Sequence, residues 1–235
     1  KPCRLYDRSY GWRRGESMTD IRHYEMSPAD NVLYFPNNVD VRLCPKNGMS
    51  TLKELFRIHK GHREYVGRNY RYDRVKEEGS QFEIPFRKGS YRIAVRRDPV
   101  DRFRSACEYL LANQAEYIRQ GRLNEIPLLD KEMDKVLDKI EAGETKNNHF
   151  YTQSWYMGKP EDYDIVVHID ELSKLLVFIN ESSDLGLSSE QVKIHDNKTK
   201  MKMYNSLLTD KQRYRIRQLY TIDYMNGWCK IDDRP

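Results

Sequence analysis

Two short runs of the chain carry residues whose types and spacing suit anion chemistry. The first is Cys44-Pro45-Lys46-Asn47-Gly48-Met49-Ser50-Thr51, a lysine followed closely by a turn-forming glycine and two hydroxyls. The second is Arg97-Asp98-Pro99-Val100-Asp101-Arg102-Phe103-Arg104-Ser105-Ala106. A guanidinium binds phosphate-like oxygens in bidentate fashion, and a serine hydroxyl adds a neutral donor. Both runs carry cations and hydroxyls. A third run, His149-Phe150-Tyr151-Thr152-Gln153, supplies a titratable imidazole.

The flanking pattern says what must position them. Val41 and Leu43 read as a short strand over 41–44 that Pro45 ends. Gly48 permits a tight turn. Ser50 or Thr51 caps a helix whose apolar face is Leu52, Leu55 and Phe56, running to about residue 59. Residues 91–96 form a second strand. Asp98 is placed to cap the next helix with Pro99 at its first position, and Phe103, Ala106, Tyr109 and Leu110 form its stripe. Each anion run is therefore a strand, a loop and a helix start. Helix N-termini favour anions through their unbonded N–H groups and positive dipole end. A third strand is expected at 162–168, with central residues 164–168, and a helix from 171 to 179.

Three short β runs, each followed by a helical pattern, predict a three-layer α/β fold with a central parallel sheet and ligands at the strands' carboxyl ends. Residues 1–38 read as irregular cover, with a short strand at 32–35. Residues 114–145 read as helical, with Leu128, Met133, Val136, Leu137 and Ile140 as the core stripe. Thr209-Asp210-Lys211-Gln212 is a capping box for a final helix. With no internal repeat or low-complexity linker, one domain over 1–235 is expected, residues 1–31 being its irregular cover.

Composition narrows the class. The 235 residues are 38% hydrophobic and 33% charged, and 17 Tyr, 7 Phe and 3 Trp supply bulk for a core. The net charge of +5 favours an anionic ligand but is too diffuse to argue for nucleic acid. Cys3, Cys44, Cys107 and Cys229 lie far apart with no C-x-x-C pair, so no zinc site is expected, and Cys44 and Cys107 read as buried thiols. No segment approaches 18 apolar residues, so no transmembrane span is expected. The sequence begins at Lys1. A cytoplasmic protein is the expectation if that is the whole chain, and a Golgi-lumen protein if an anchor precedes it.

The first run is not the G-x-x-x-x-G-K-[ST] loop of ATP- and GTP-binding proteins, because it has one glycine and Lys46 precedes it. Its P-K-x-G-x-[ST]-[ST] order resembles the 5'-phosphosulfate loop of sulfotransferases that use 3'-phosphoadenosine 5'-phosphosulfate (PAPS). The R-D-P-x-x-R-x-x-S-A order of the second run resembles the 3'-phosphate motif of the same family. Weaker likenesses point to its carbohydrate, Golgi-type branch. His149 to Gln153 resembles an H-W-x-P-Q segment, with Thr152 in place of the proline. Asn197-Lys198-Thr199-Lys200 resembles a late basic loop, and Tyr220-Thr221-Ile222-Asp223-Tyr224 a Y-x-x-D-Y ending. The resemblance spans about residues 32–228.

The resemblance implies a P-loop-like nucleotide-binding topology and transfer of a sulfuryl group from PAPS, leaving 3'-phosphoadenosine 5'-phosphate (PAP), to an acceptor hydroxyl of a glycan or a small molecule. Lys46 would stabilise charge on the leaving nucleotide. The turn of Lys46, Asn47, Gly48, Met49, Ser50 and Thr51 would cradle the 5'-phosphate. Arg97 and Ser105 would hold the 3'-phosphate with help from Lys198. No metal is implied. The general base stays open among Glu83, His62 and His149, with His59, Glu64, Glu77 and Glu78 also lying between the two phosphate motifs. Glu83 sits in a possible short strand, and His62 has the more suitable intrinsic pKa. Residues 60–88 are basic and tyrosine-rich, either a solvated helix face or a wall for an anionic acceptor. Two other classes remain. A P-loop-like kinase needs a glycine-rich loop and an acidic metal ligand, and a non-catalytic binder of anionic glycans would rest on the stretch 60–88.

Overall fold

In the computed structural model, the description covers residues 32–59, 86–119, 133–144, 147–188, 192 and 208–230. Four strands, β1 (Val32–Phe35), β2 (Val39–Arg42), β3 (Tyr91–Arg96) and β4 (Ile165–His168), form one sheet in the order β1-β2-β3-β4. β2, β3 and β4 run parallel, while β1 pairs antiparallel with β2. The three strands expected to form a central parallel sheet do so, and the short strand at 32–35 adds an antiparallel edge that makes the whole sheet mixed. The reason is local. Asn37 and Asn38 both have positive φ, 54° and 58°, and close a tight hairpin, a conformation asparagine tolerates.

The helices are α1 (Met49–His59), α2 (Pro99–Ala112), α3 (Gln114–Arg119), α4 (Met133–Glu141), α5 (Gln153–Met157), α6 (Leu172–Ser182), α7 (Asp210–Leu219) and α8 (Thr221–Met225). The pleat sends alternate strand residues to opposite faces. Leu33, Phe35, Val39, Val41, Ile93 and Val95 join Leu52, Leu55, Leu175, Leu176 and Ile179 in one buried cluster, so α1 and α6 cover that face. Ala94, with Val166 packed beside it, joins Phe103, Leu110, Val136, Leu137, Ile216 and Trp228 in the other. Helices thus lie on both faces of the sheet. The expected α4 stripe of Met133, Val136, Leu137 and Ile140 is buried, and Cys44 and Cys107 are buried free thiols, as is Cys229.

Several boundaries shift. β2 occupies 39–42 rather than 41–44, because Pro45 has no N–H and the Asn47 N–H turns back to the Cys44 carbonyl at 3.1 Å. β4 starts at Ile165, after a 3₁₀ turn over Pro160–Asp162. α1 begins one residue ahead of the expected caps. Its first bond runs from the Leu52 N–H to the Gly48 carbonyl at 3.0 Å, so Gly48 takes the cap position and Ser50 and Thr51 fall in the first turn. Asn113 ends α2 and α3 opens at Gln114, where the helical region 114–145 was expected to start; the described residues of that region hold two helices, α3 and α4. The Tyr220–Tyr224 motif is not the end of one helix. It is the junction of α7 with the short α8. The capping box at Thr209 and Gln212 and the Asp98 cap with Pro99 behind it form as expected. Among the described residues no helix is long and apolar enough to cross a membrane. Residues 1–31, most of the stretch 60–88, Leu128 and the 197–200 loop lie outside the described residues.

Candidate functional site

β2 and β3 are adjacent and parallel, so the turns that follow them emerge at the same edge of the sheet. Lys46 and Gly48 in the first turn both have positive φ, 71° and 77°. Glycine accepts this freely. For a lysine the left-handed region costs about 1–2 kcal/mol, so the backbone is held there by its surroundings. Three contacts do the holding. The Arg97 Nη1 donates to the Lys46 carbonyl at 3.0 Å, the Arg102 Nε donates to the Pro45 carbonyl at 3.0 Å, and the Asn47 Nδ2 donates to the Val95 carbonyl at 2.7 Å. The turn after β2 is therefore tied at three successive residues to β3 and α2.

At the start of α2, the Asp98 Oδ1 accepts from the Val100 and Asp101 N–H groups at 2.9 and 3.1 Å. Arg97 is half-buried, and burial lowers its pKa, with Asp101 acting in the opposite sense. Its Nε is buried without a hydrogen-bond partner among the described residues. Ser105, half-buried, lies four residues before Tyr109 and so on the same face of α2. The Lys46 Nζ stands 4.4 Å from the centre of the Tyr109 ring, which stacks on the His149 ring at 4.8 Å. Lys46 and His149 are thereby gathered around one tyrosine. The His149 Nδ1 lies 2.9 Å from the Asn147 Oδ1, an acceptor; in a neutral ring this contact calls for the proton on Nδ1 and leaves Nε2 as the basic nitrogen.

Arg102 has a different place from Arg97. It is fully buried, 5.9 Å from the centre of the Tyr220 ring, and its Nη1 and Nη2 have no hydrogen-bond partner among the described residues. Burial opposes its charge, but Cys44, Tyr220 and Asp223 outweigh that and hold its pKa above the ordinary value. Burial likewise pushes the Cys44 thiol up to about 11 against the pull of Arg102, so it is protonated near neutrality.

The sequence did not single out the groups that join the two turns. Gln153, fully buried, accepts on Oε1 from the Arg97 N–H at 2.9 Å and the Asn47 Nδ2 at 2.7 Å, and its Nε2 donates to the Arg97 carbonyl at 2.9 Å. Its own N–H reaches the Asp223 Oδ2 at 2.9 Å, while the Ser154 N–H and Oγ donate to the Asp223 Oδ1 at 2.7 and 2.8 Å. Asp223 is buried, and burial raises its pKa against these hydrogen bonds. The Cys229 Sγ also donates to the Arg97 carbonyl, at 3.3 Å. The signal was present: Gln153 and Asp223 fall in the two weaker motifs, but nothing in their spacing announced that they meet.

Among the expected site residues the structure brings together the turn 46–51 and Arg97 and, through Tyr109, Lys46 and His149, while Ser105 is half-buried on the Tyr109 face of α2. His59 ends α1 and is part of the ring cluster with Phe35 and Phe56. Glu83, His62, Glu64, Glu77, Glu78 and Lys198 lie outside the described residues. Among the described residues no group of three or more His, Cys, Asp or Glu is placed to hold a metal ion. No family model, curated protein or solved structure matches the chain.

Proposed function

We propose that this chain is a PAPS-dependent sulfotransferase with a P-loop-like nucleotide site, acting on an acceptor hydroxyl of a carbohydrate. The observation that carries the reading is the junction of the two anion turns, with the Arg97 guanidinium on the Lys46 carbonyl at the ends of adjacent parallel strands. A nucleotide with phosphates on both sides of its ribose needs two anion sites in one crevice. The donor set fits such a group. The N–H groups of Met49, Ser50 and Thr51 precede the first bond of α1 and have no carbonyl within the helix to bond, and the buried Arg97 Nε is an unused donor among the described residues.

PAPS would supply the sulfuryl group and a phosphate leaving group. Lys46, Met49, Ser50 and Thr51 would receive the 5' end, with Lys46 neutralising charge that develops there. Arg97 and Ser105 would hold the 3'-phosphate. His149, oriented by Asn147 and by the Tyr109 ring, would take the acceptor's proton on Nε2. The cations and helix N-termini of the chain would provide the electrostatics, so turnover of labelled PAPS is expected to survive excess EDTA.

The test is unfolding monitored with PAP, 5'-AMP, ATP with Mg²⁺, and heparin. At a hundredfold excess over its Kd, PAP is expected to stabilise the fold by about 2.7 kcal/mol, and 5'-AMP at the same concentration by clearly less. Equal shifts with PAP and AMP would remove the role given to Arg97 and Ser105. A larger shift with ATP and Mg²⁺ would turn the reading toward a kinase, and one with heparin alone toward a glycan binder.

A further inference from the structure

We propose that Gln153 is a positioning residue that sets the separation of the two anion turns and thereby selects a ligand with two phosphates over one with a single phosphate. The inference rests on the sulfotransferase reading for the identity of that ligand, and on geometry for the rest.

One atom, the Gln153 Oε1, accepts from both turns, from the Asn47 Nδ2 after β2 and the Arg97 N–H after β3. The other end of the same amide donates to the Arg97 carbonyl at 2.9 Å and reaches the Cys229 Sγ at 3.9 Å. Two donors facing Oε1 and a carbonyl facing Nε2 fix the orientation of the amide. The Asn47 Nδ2 in turn bonds the Val95 carbonyl, so the bridge ends on the strand from which Arg97 departs. The backbone of Gln153 is anchored independently by Asp223 on α8. The Gln153 amide is buried and bonded through both its oxygen and its nitrogen, and the Asn47 Nδ2 is bonded to both Gln153 and Val95 although the Asn47 Oδ1 has no partner among the described residues; such a bridge holds two loops at one spacing. Gln153 bonds the backbone of Arg97 and the side chain of Asn47, so its action on a ligand runs through them. Two phosphates fixed on one ribose demand one separation of their sites, whereas a single phosphate demands none.

The experiment measures Kd for PAP and for 5'-AMP by calorimetry in the wild-type chain, Gln153→Glu and Asn47→Ala. A carboxylate at 153 is isosteric but sets an oxygen against the Arg97 carbonyl. Asn47→Ala cuts the bridge at its other end and leaves Gln153 on Arg97. The preference for PAP over AMP is expected to fall by at least about fivefold in each variant, which corresponds to about 1 kcal/mol and lies within the range of coupling in one hydrogen-bonded network. A merely structural role would lower thermal stability and leave that ratio intact. A wild-type chain that prefers PAP, with variants that retain the preference to within fivefold, overturns the inference and spares the functional reading. A wild-type chain that binds PAP and AMP equally overturns both. Should Gln153→Glu fail to fold, the Asn47→Ala ratio decides alone.

Discussion

Gly48→Ala tests whether the turn after β2 is built as described. Gly48 has φ +77°, and a Cβ there would lie 2.7 Å from the Leu172 Cδ2 and 3.2 Å from the Ile169 Cδ1. Leu172 is buried among the α1 and α6 side chains, so its methyl cannot swing into solvent. Two costs follow. An alanine in the left-handed region costs about 1–2 kcal/mol, and overpacking of a filled site about 1–3 kcal/mol more. Loss of glycine's freedom in the unfolded chain returns about 0.4–1 kcal/mol. The expected net loss is about 2–4 kcal/mol in urea unfolding, with the denaturant slope unchanged. Gly89 is the control. It has φ +70° with nothing within 4 Å of a built Cβ, so Gly89→Ala should lose only the conformational part, about 1 kcal/mol. Leu172→Ala removes the methyl closest to the new Cβ and leaves the Ile169 Cδ1 at 3.2 Å, so the double variant with Gly48→Ala should show favourable coupling of about 0.5–3 kcal/mol. Equal losses at 48 and 89, or strictly additive losses at 48 and 172, would refute the packing of α6 against this turn.

Two further predictions concern the charged groups of the two turns. Lys46→Gly should remove the cation while relieving its +71° backbone, so urea unfolding should show stability within about 1 kcal/mol of wild type, while PAPS turnover drops about 10²–10³-fold as for one lost transition-state donor; near-normal turnover would end the role of Lys46. Asp98→Asn keeps an equally good cap and removes a carboxylate whose pKa burial raises from its ordinary 3.8. Because the native pKa is the higher one, the wild-type group's contribution is complete below about 3.8 and is lost as pH rises through the native value. The variant should therefore match wild type in acid and gain on it with rising pH, and a variant that loses ground above that window in pH-dependent unfolding would contradict the sign.

Much of the frame was legible because it follows local rules. The Asp98–Pro99 helix start, the Thr209–Gln212 box and the α4 stripe each depend on contacts within a few residues, and each formed where the pattern put it. The mixed sheet was less legible, because the signal for β1 pairing lies in two asparagines rather than in the strand itself. The ends of β2 and β4 moved because ladders stop where a partner strand or a turn stops them, which a single strand's sequence does not record. The Gln153 bridge was illegible for a stronger reason. It joins residues 47, 97, 153 and 223, and neither periodicity nor spacing encodes contacts that far apart in the chain.

Net charge proved a poor guide to how much positive field faces a ligand. Several arginines behind the +5 balance are engaged within the fold. Arg87 meets the buried Asp40, and Arg215 ties α7 to Asp134, Asp138 and Glu141 around α4. Arg42 is buried on β2, its Nε on the Tyr156 carbonyl at 2.6 Å, and burial lowers its pKa to about 10. Arg102 closes the Pro45 end of the first turn in the same manner. A buried cation is tolerated only with such acceptors around it, so Arg42 and Arg102 are better understood as fasteners for carbonyls that the ladder leaves behind. Within the second motif this separates two arginines that look equivalent in the sequence. Both keep unpartnered nitrogens among the described residues, so exposure is what tells them apart: Arg97 is half-buried at a strand's end, while Arg102 is fully buried and shapes the turn in which an anion would sit.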